Sequence, residues 1–254
     1  MCTVVLSRRR EAAWPLVLAA NRDEMLDRPW DPPAAHWPDR PGVVGGRDRL
    51  AGGSWMAIRG GMVASVLNRP GSLGPAEGFR SRGELPLLAL AHASAGEAAA
   101  ALAGERADAW RPFNLVVADA GEAWLLTGRG TGTIEATPLA EGVSMITAVG
   151  LDAGETPRAR HHLPRFRAAP RPSPEDHAAW AGLLASADHE PGAGPRGGLT
   201  VLPDRGYGTV AASLVFLPAG GTAPVWLFAP GLPAVEPFVP VPLVPARDRR
   251  EARA

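Results

Sequence analysis

The sequence contains no lysine and no glutamine, so all 26 of its basic residues are arginine. A P-loop needs a lysine that reaches the nucleotide phosphates, and a Schiff base needs a lysine amine. The composition therefore excludes P-loop nucleotide hydrolysis and catalysis through a lysine imine. The arginine-for-lysine bias, together with abundant Ala, Gly and Pro, is typical of GC-rich bacterial genomes, and we expect a bacterial source.

Cysteine is almost absent as well. The single cysteine, Cys2, excludes an internal disulfide and every CxxC zinc or iron–sulfur site. The six histidines are scattered apart from the adjacent pair His161-His162, which would point apart on a regular element. We predict no metal site and no required cofactor.

Neither a charge excess nor a long apolar run is present. The 26 acidic residues balance the 26 basic ones, which disfavours general binding to nucleic acid or to anionic membranes. The longest apolar run near the start covers residues 14–20, far below the roughly 18 residues that a membrane span needs. Charge follows the first apolar residues, the reverse of a signal peptide. We expect no integral membrane segment and a cytoplasmic protein with a reduced thiol. No feature specifies an oligomeric state.

The chain does contain enough apolar residues, 46% of 254, for one large domain. Short apolar runs separated by Gly- or Pro-containing turns predict antiparallel hairpins. The strand pairs are 3–6 with 16–20, 55–58 with 62–67, 114–119 with 122–127, and 213–217 with 225–228. Helices are predicted at 85–102, with a break and cap at Ser94, and at 178–187, with Ser173 as the cap. Residues 164–174 are interpreted as a proline-rich connector and 190–198 as a loop.

Strands followed by segregated helices predict an α+β fold. We predict one domain over residues 1–229 and a partly extended, Pro- and Arg-rich tail over 230–254.

Cys2 is the first candidate reaction centre. If Met1 is removed, Cys2 carries a free α-amine whose reference pKa of about 7.7–8.0 lets it accept the thiol proton. A turn at 7–13 would place Cys2 across from residue 19 or 20, beside the segment Asn21-Arg22-Asp23-Glu24. We expect Arg22 to lower the thiol pKa, Asp23 to orient the α-ammonium, and Asn21 to donate to an oxyanion.

A structural interpretation stands beside this one. A lone cysteine near a terminus is usually a small buried apolar residue, and the following polar segment could be a turn with its arginine paired to an acid.

Several motifs in the same order resemble the NRDE family, the homologues of transport and Golgi organisation protein 2. They are Met1-Cys2, Ala20-Asn21-Arg22-Asp23-Glu24, Arg28-Pro29, Gly52-Gly53-Ser54-Trp55, Asn68-Arg69-Pro70, Ser81-Arg82-Gly83-Glu84-Leu85, Phe113-Asn114-Leu115 and Gly206-Tyr207-Gly208-Thr209. The resemblance is dense over residues 1–130. It implies a four-layer αββα sandwich of two antiparallel sheets, like the amino-terminal-nucleophile hydrolases. It also implies kinship with acylases that use a cysteine exposed by removal of Met, and a link to haem trafficking and to lipid and acyl-CoA homeostasis.

The resemblance also marks candidate residues. Catalytic candidates are Cys2, Arg22, Asp23 and Asn21, and ligand-binding candidates are Glu24, Trp55, Asn68, Arg82 and Tyr207. Two positions depart from the family pattern: many members carry Arg where this chain has Val210, and Asn where it has Ala148. If those groups bind the acyl carbonyl, part of an acylase's machinery is missing, and losing one oxyanion donor costs about 10²–10³ in rate.

Two functions follow as hypotheses. The first is a protein that binds or handles a small hydrophobic anionic molecule, haem as cargo or an acyl compound, in a cleft near Arg22 and Trp55. The alternative is a Cys2-dependent amide or thioester hydrolase. A purely structural interaction module, suggested only by the Pro-rich tail, is the third.

Overall fold

The computed structural model describes residues 2–72, 77–220 and 222–243, and it consists of two antiparallel sheets packed face to face. One sheet has the strand order β10-β1-β2-β11-β12-β13 and the other β3-β4-β5-β6-β7-β8-β9. The strands of the first sheet are β1 (Thr3–Arg8), β2 (Leu16–Met25), β10 (Gly142–Ile146), β11 (Tyr207–Leu217), β12 (Val225–Ala229) and β13 (Val239–Pro240). Those of the second are β3 (Trp30–Ala34), β4 (Val43–Asp48), β5 (Ser54–Arg59), β6 (Met62–Asn68), β7 (Phe113–Ala118), β8 (Ala123–Gly128) and β9 (Glu135–Pro138).

Helices cover the outer face of each sheet. They are α1 (Glu84–Ala89), α2 (Ala95–Leu102), α3 (Pro157–Ala168) and α4 (Ala178–Leu184). One hydrophobic core fills the space between the sheets, a second lies between the second sheet and α1–α2, and a third lies between the first sheet and α3–α4. This arrangement confirms the four-layer α+β sandwich.

No helix within the described residues is both long enough and apolar enough to cross a bilayer.

The hairpins and the helical break agree with the sequence pattern. Gly60 and Gly61 form the two-residue turn between β5 and β6, because Arg59 pairs with Met62. Ser94 caps α2 and accepts a hydrogen bond from the Glu97 amide, so the segment 85–102 forms two helices rather than one.

Three predictions were wrong in ways that affect the site. The first hairpin turns after Arg8 rather than at residue 7, because strand pairing extends to Arg8 and Leu16. Strand β11 begins at Tyr207, six residues before the predicted start. Helix α3 occupies 157–168, part of which was interpreted as a connector; it is capped by the Thr156 side chain and tolerates Pro164 inside it.

Two further predictions need adjustment or stay open. Helix α4 starts after His177, whereas Ser173 accepts from the Asp176 amide in a separate turn. Residues 230–243 include β13, which pairs with β12. Residues 244–254 lie outside the described residues, and the division into a domain and a tail stays a prediction.

Candidate functional site

Cys2 lies at the open end of the β1–β2 hairpin. Thr3 pairs with Asn21, so continuing this register places Cys2 opposite Arg22 and not opposite residue 19 or 20 as predicted. The Cys2 thiol lies 3.6 Å from the main-chain oxygen of Asp23, to which it donates. The longer strands thus bring the thiol closer to the two charged candidates than the sequence-based register did.

Arg22 extends from β2 into the space between the sheets. Its side chain is 5% exposed, and its guanidinium lies over the ring of Trp55 at 4.3 Å and near that of Trp30 at 5.8 Å. The nearest carboxylate, Glu24, is 3.8 Å from Nη2. Nη1 is buried and has no hydrogen-bond partner among the residues that the structure describes. Because a buried charged donor left unpaired is costly, this nitrogen is a candidate hydrogen-bond donor to a bound group.

Trp55 can stack on Arg22 only because Gly46 is small. A Cβ at position 46 would lie 2.1 Å from the Trp55 ring. A second close glycine contact, between Gly53 and Gly83, packs the start of β5 against the segment before α1, and the Ser54 amide donates to the Gly83 oxygen at 2.7 Å. Two motifs of the family resemblance therefore meet in space.

A small enclosed space lies between the thiol, Arg22 and Trp55. Strands β1, β2 and β11 of one sheet and β5 and β6 of the other form its walls, and Ser65 and Ser213 add hydroxyl groups. Its volume is about 10 Å³, room for roughly one water molecule. The space therefore holds a single small polar group at most.

On the other side of the strand, the Asp23 carboxylate accepts hydrogen bonds from Thr209 and Arg158. Its side chain is fully buried, with Oδ1 accepting from Thr209 at 2.7 Å and Oδ2 accepting from Arg158 at 3.3 Å. Arg158, in the first turn of α3, is a site residue that sequence reasoning missed. Its helix was not predicted, and nothing in the local sequence separates Arg158 from the other arginines.

The surroundings of Cys2 shift the pKa of its thiol upward. Burial raises the pKa of Cys2, and the Asp23 carboxylate raises that pKa further, whereas Arg22 lowers it only in part. Arg22 does lower the thiol pKa as expected, but desolvation is the largest effect and the net shift is upward. A nucleophilic Cys2 would therefore need a base.

Asn21 is already committed to other bonds. Its amide nitrogen donates to the oxygens of Leu184 and Leu199, both at 2.9 Å. Because both amide hydrogens point at carbonyls, Asn21 cannot also donate to an oxyanion. It instead ties β2 to the end of α4 and to the segment before β11.

The remaining ligand-binding candidates surround the site at different depths. Half-buried Glu24 contacts Arg22, and Tyr207 lies under the Arg196 guanidinium at 5.3 Å, where burial raises the pKa of its phenol. Arg82 donates to the Ser72 and Pro112 oxygens, and burial lowers the pKa of Arg82 to about 10. None of these three lines the enclosed space.

Asn68, the last ligand-binding candidate, ends β6, and its side chain makes no hydrogen bond within the described part of the chain. It does not line the enclosed space either.

The two positions that depart from the family pattern are both buried. Val210 is the extra residue of a β-bulge in β11, where the pairing with β2 shifts between Thr209 and Ala211. Ala148 follows β10, and its oxygen accepts weakly, at 3.4 Å, from Asn114. Asn114 also donates to the Thr147 oxygen at 2.9 Å, which makes it a structural link between the two sheets.

The described residues contain no group of three or more His, Cys, Asp or Glu side chains placed to hold a metal ion. The His161 and His162 rings lie edge to face, 4.8 Å apart, on α3, and His162 is fully buried. The pair therefore packs in the helix layer, away from Cys2.

Comparison with known proteins gives two findings. The model of the family described as Transport and Golgi organisation 2 matches residues 1–178. Among solved structures, this chain is similar to the Caenorhabditis elegans N-acylethanolamine-hydrolyzing acid amidase ortholog, with a TM-score of 0.59 and 13% identity over 87% of this chain and 95% of that one. At this identity the likeness establishes the fold alone, which resembles that of the amino-terminal-nucleophile hydrolases. No curated protein sequence matches the chain.

Proposed function

The chain belongs to the Transport and Golgi organisation 2 family, and on that premise we propose that it binds a small hydrophobic anionic molecule, an acyl compound, through the polar head group. The head-group oxygen occupies the enclosed space beside Cys2 and accepts from Nη1 of Arg22. The observation that carries the proposal is this buried guanidinium nitrogen, which has no acceptor among the described residues.

The size of the site favours an acyl compound over haem. About 10 Å³ beside Cys2 holds one oxygen-sized group, and a macrocycle would have to remain outside the space that Arg22 lines. Trp55 and Trp30 border the guanidinium with apolar ring surface, which suits the first carbons of an acyl chain. Head group and chain would then contact chemically matched surfaces.

Binding can be tested by titrating the protein with decanoate, decanoyl-CoA and haem while following tryptophan fluorescence, since Trp55 and Trp30 border Arg22. Replacing Arg22 with Met should weaken decanoate binding by about 10- to 100-fold, the usual value of a hydrogen bond to a charged group. Arg80→Met is the matched control, because Arg80 stacks on Trp110 at 4.6 Å but does not line the space. The proposal fails if the wild type binds neither acyl probe, or if Arg22→Met binds them unchanged.

A second candidate is hydrolysis of an amide or thioester by Cys2, favoured by the position of the thiol in the wall of the same space. The thiol would add to the acyl carbonyl and pass its proton to the α-amine of Cys2 once Met1 is removed. That proton would then leave with the amine or thiol product, and water would hydrolyse the acyl-cysteine. With Asn21 occupied, Arg22 is the donor that remains for the oxyanion.

Turnover is tested with chromogenic acyl amides and acyl thioesters on the wild type, Cys2→Ser and Cys2→Ala. Loss of all turnover in Cys2→Ala supports the hydrolase, whereas unchanged turnover rules Cys2 out. The intact mass of the purified protein decides whether Met1 is present, and a retained Met1 removes the α-amine from the mechanism.

A further inference from the structure

Ser213 is a buried polar residue of β11 that faces the space between the two sheets. Its neighbours two positions away, Ala211 and Val215, belong to the core between the sheets, whereas Ala212 belongs to the core under the helices. Successive residues of a strand point to opposite faces, so Ser213 also points between the sheets. Only 3% of the residue is exposed, and it lines the enclosed space described above.

The strand register places Ser213 diagonally next to Arg22. Ser213 pairs with Ala20 and Ala211 pairs with Arg22, so the two polar side chains stand in adjacent rows of one sheet face. Diagonal neighbours in a strand pair are about 7–8 Å apart, a distance that a side chain as long as arginine spans. Ala20 and Ala211 contribute only methyl groups between them, and all four residues line the same space.

The Ser213 hydroxyl makes no hydrogen bond to any residue that the structure describes. Ser65, across the same space, instead satisfies its hydroxyl by donating to the Trp55 oxygen at 3.2 Å. A buried hydroxyl without a partner costs free energy, so a position that served only the packing would favour alanine. The Ser213 hydroxyl and Nη1 of Arg22 are therefore two unused donors in the wall of one small space.

A single oxygen atom can satisfy both donors. The space has a volume of about 10 Å³, which is room for one oxygen-sized group. A carbonyl or carboxylate oxygen has two lone pairs, so it can accept one hydrogen bond from a guanidinium and another from a hydroxyl. A quaternary ammonium group has no lone pair and would add a second positive charge beside Arg22. The two donors are thus matched to an acyl oxygen.

We propose that Ser213 is the second hydrogen-bond donor of the acyl site: its hydroxyl and Nη1 of Arg22 together bind one oxygen of the head group. This inference rests on the proposed function and deepens it, because it adds a residue that selects ligands whose head group presents an acceptor oxygen. Ser213 lies outside every motif of the family resemblance.

The experiment measures the affinity for decanoate, decanoyl-CoA and decyltrimethylammonium by tryptophan fluorescence. The last probe has a similar chain but no acceptor oxygen. The proteins are the wild type, Arg22→Met, Ser213→Ala, Ser213→Cys and Ser7→Ala. Ser213→Cys nearly keeps the side-chain volume but is a weak donor. Ser7→Ala is the matched control, because Ser7 is similarly buried in the same sheet and its hydroxyl accepts from Arg171, away from the space.

Ser213→Ala and Ser213→Cys should each weaken binding of the acyl probes by about threefold to tenfold, which corresponds to one hydrogen bond from a neutral donor. Ser7→Ala should bind them as the wild type does. Decyltrimethylammonium should bind more weakly than decanoate, with equal affinity for the wild type and Ser213→Ala. Without ligand, Ser213→Ala should melt at or above the wild-type temperature, because it loses a hydroxyl that has no protein partner.

Unchanged acyl binding in Ser213→Ala, alongside weaker binding in Arg22→Met, overturns this inference alone and leaves the proposed function standing. Wild-type affinity in Ser213→Cys also overturns it, because side-chain volume and not the donor would then matter. A Ser213→Ala protein that melts clearly below the wild type, or fails to fold, overturns it too, since the hydroxyl then serves the fold. If the wild type binds neither acyl probe, the proposed function fails and this inference fails with it.

Discussion

The two sides of the candidate site differ in how they are built. On one side, Cys2, Arg22 and Asp23 come from a single hairpin, and Arg22 is left with an open donor nitrogen. On the other side, Arg158 and Thr209 come from α3 and β11, and both donate hydrogen bonds to the Asp23 carboxylate. The comparison separates an open, ligand-facing side from a closed, supporting side that meets it at β2.

The largest expected effect lies on the supporting side. Arg158→Met should cost about 3–5 kcal/mol of unfolding free energy, since it removes one partner of a buried ion pair with Asp23 together with the hydrogen bonds to Thr3 and to the Arg196 oxygen. Denaturant unfolding measures the loss. Arg22→Met should cost clearly less, because its nearest carboxylate is 3.8 Å away. Equal losses from the two variants would remove the distinction between the sides.

The next largest effect concerns Asn21, which ties β2 to the end of α4 and to the segment before β11. Asn21→Ala removes both bonds to the Leu184 and Leu199 oxygens, and we expect a loss of about 2–3 kcal/mol. The Leu184 oxygen keeps a hydrogen bond from Thr200, so the loss should arise chiefly at Leu199. Denaturant unfolding of Asn21→Ala and Thr200→Val, alone and combined, tests this: the combined variant should lose more than the two single losses together. If the losses of the two single variants simply add up in the combined variant, Asn21 and Thr200 do not share the Leu184 oxygen as an acceptor in the way proposed.

A third test disturbs the open side alone. Gly46→Ala would place a methyl group against the Trp55 ring, and we expect a destabilisation of about 1–3 kcal/mol with a changed tryptophan emission. Gly61→Ala is the matched control, because a Cβ there meets no atom within 4 Å. If both variants melt alike, Trp55 is not held against Gly46.

The smallest effect tests the supporting helix through pH. Burial, followed by the neighbouring His161, lowers the pKa of His162 on α3 to about 4. Below the unfolded pKa of about 6.5 the unfolded chain binds a proton that the native protein does not. The free energy of unfolding therefore falls as the pH drops from about 6.5 towards 4. At pH 5.5 the loss that arises from His162 should be about 1 kcal/mol. Melting curves of wild type and His162→Leu check this, and an unchanged pH slope in the variant would contradict it.

Sequence reasoning reached the open side because its residues are consecutive. Apolar runs around Gly-containing turns identified most hairpins, and the resemblance at residues 20–24 located Arg22 and Asp23. The predicted register of the β1–β2 hairpin was still wrong. Strand β1 extends to Arg8, although a charged residue at that position favoured a turn. The expected role of Asn21 was wrong because its acceptors lie more than 160 residues away.

The residues of the supporting side could not be predicted from local sequence patterns. Pro164 concealed α3, and only tertiary packing brings Arg158 to Asp23 across 135 residues of chain. The start of β11 was missed because Gly206 and Gly208 flank Tyr207 and interrupt the apolar run. The net direction of the Cys2 pKa shift depends on desolvation, which no spacing of residues reports.

The most direct test of the central claim uses Cys2 as the reporter. The rate of its alkylation by iodoacetamide is measured with and without decanoate in the wild type, Arg22→Met and Arg80→Met. If the acyl head group binds at Arg22, decanoate slows alkylation in the wild type and in Arg80→Met but leaves the rate in Arg22→Met unchanged. Equal protection in all three, or none in the wild type, would contradict an acyl site between Arg22 and Cys2.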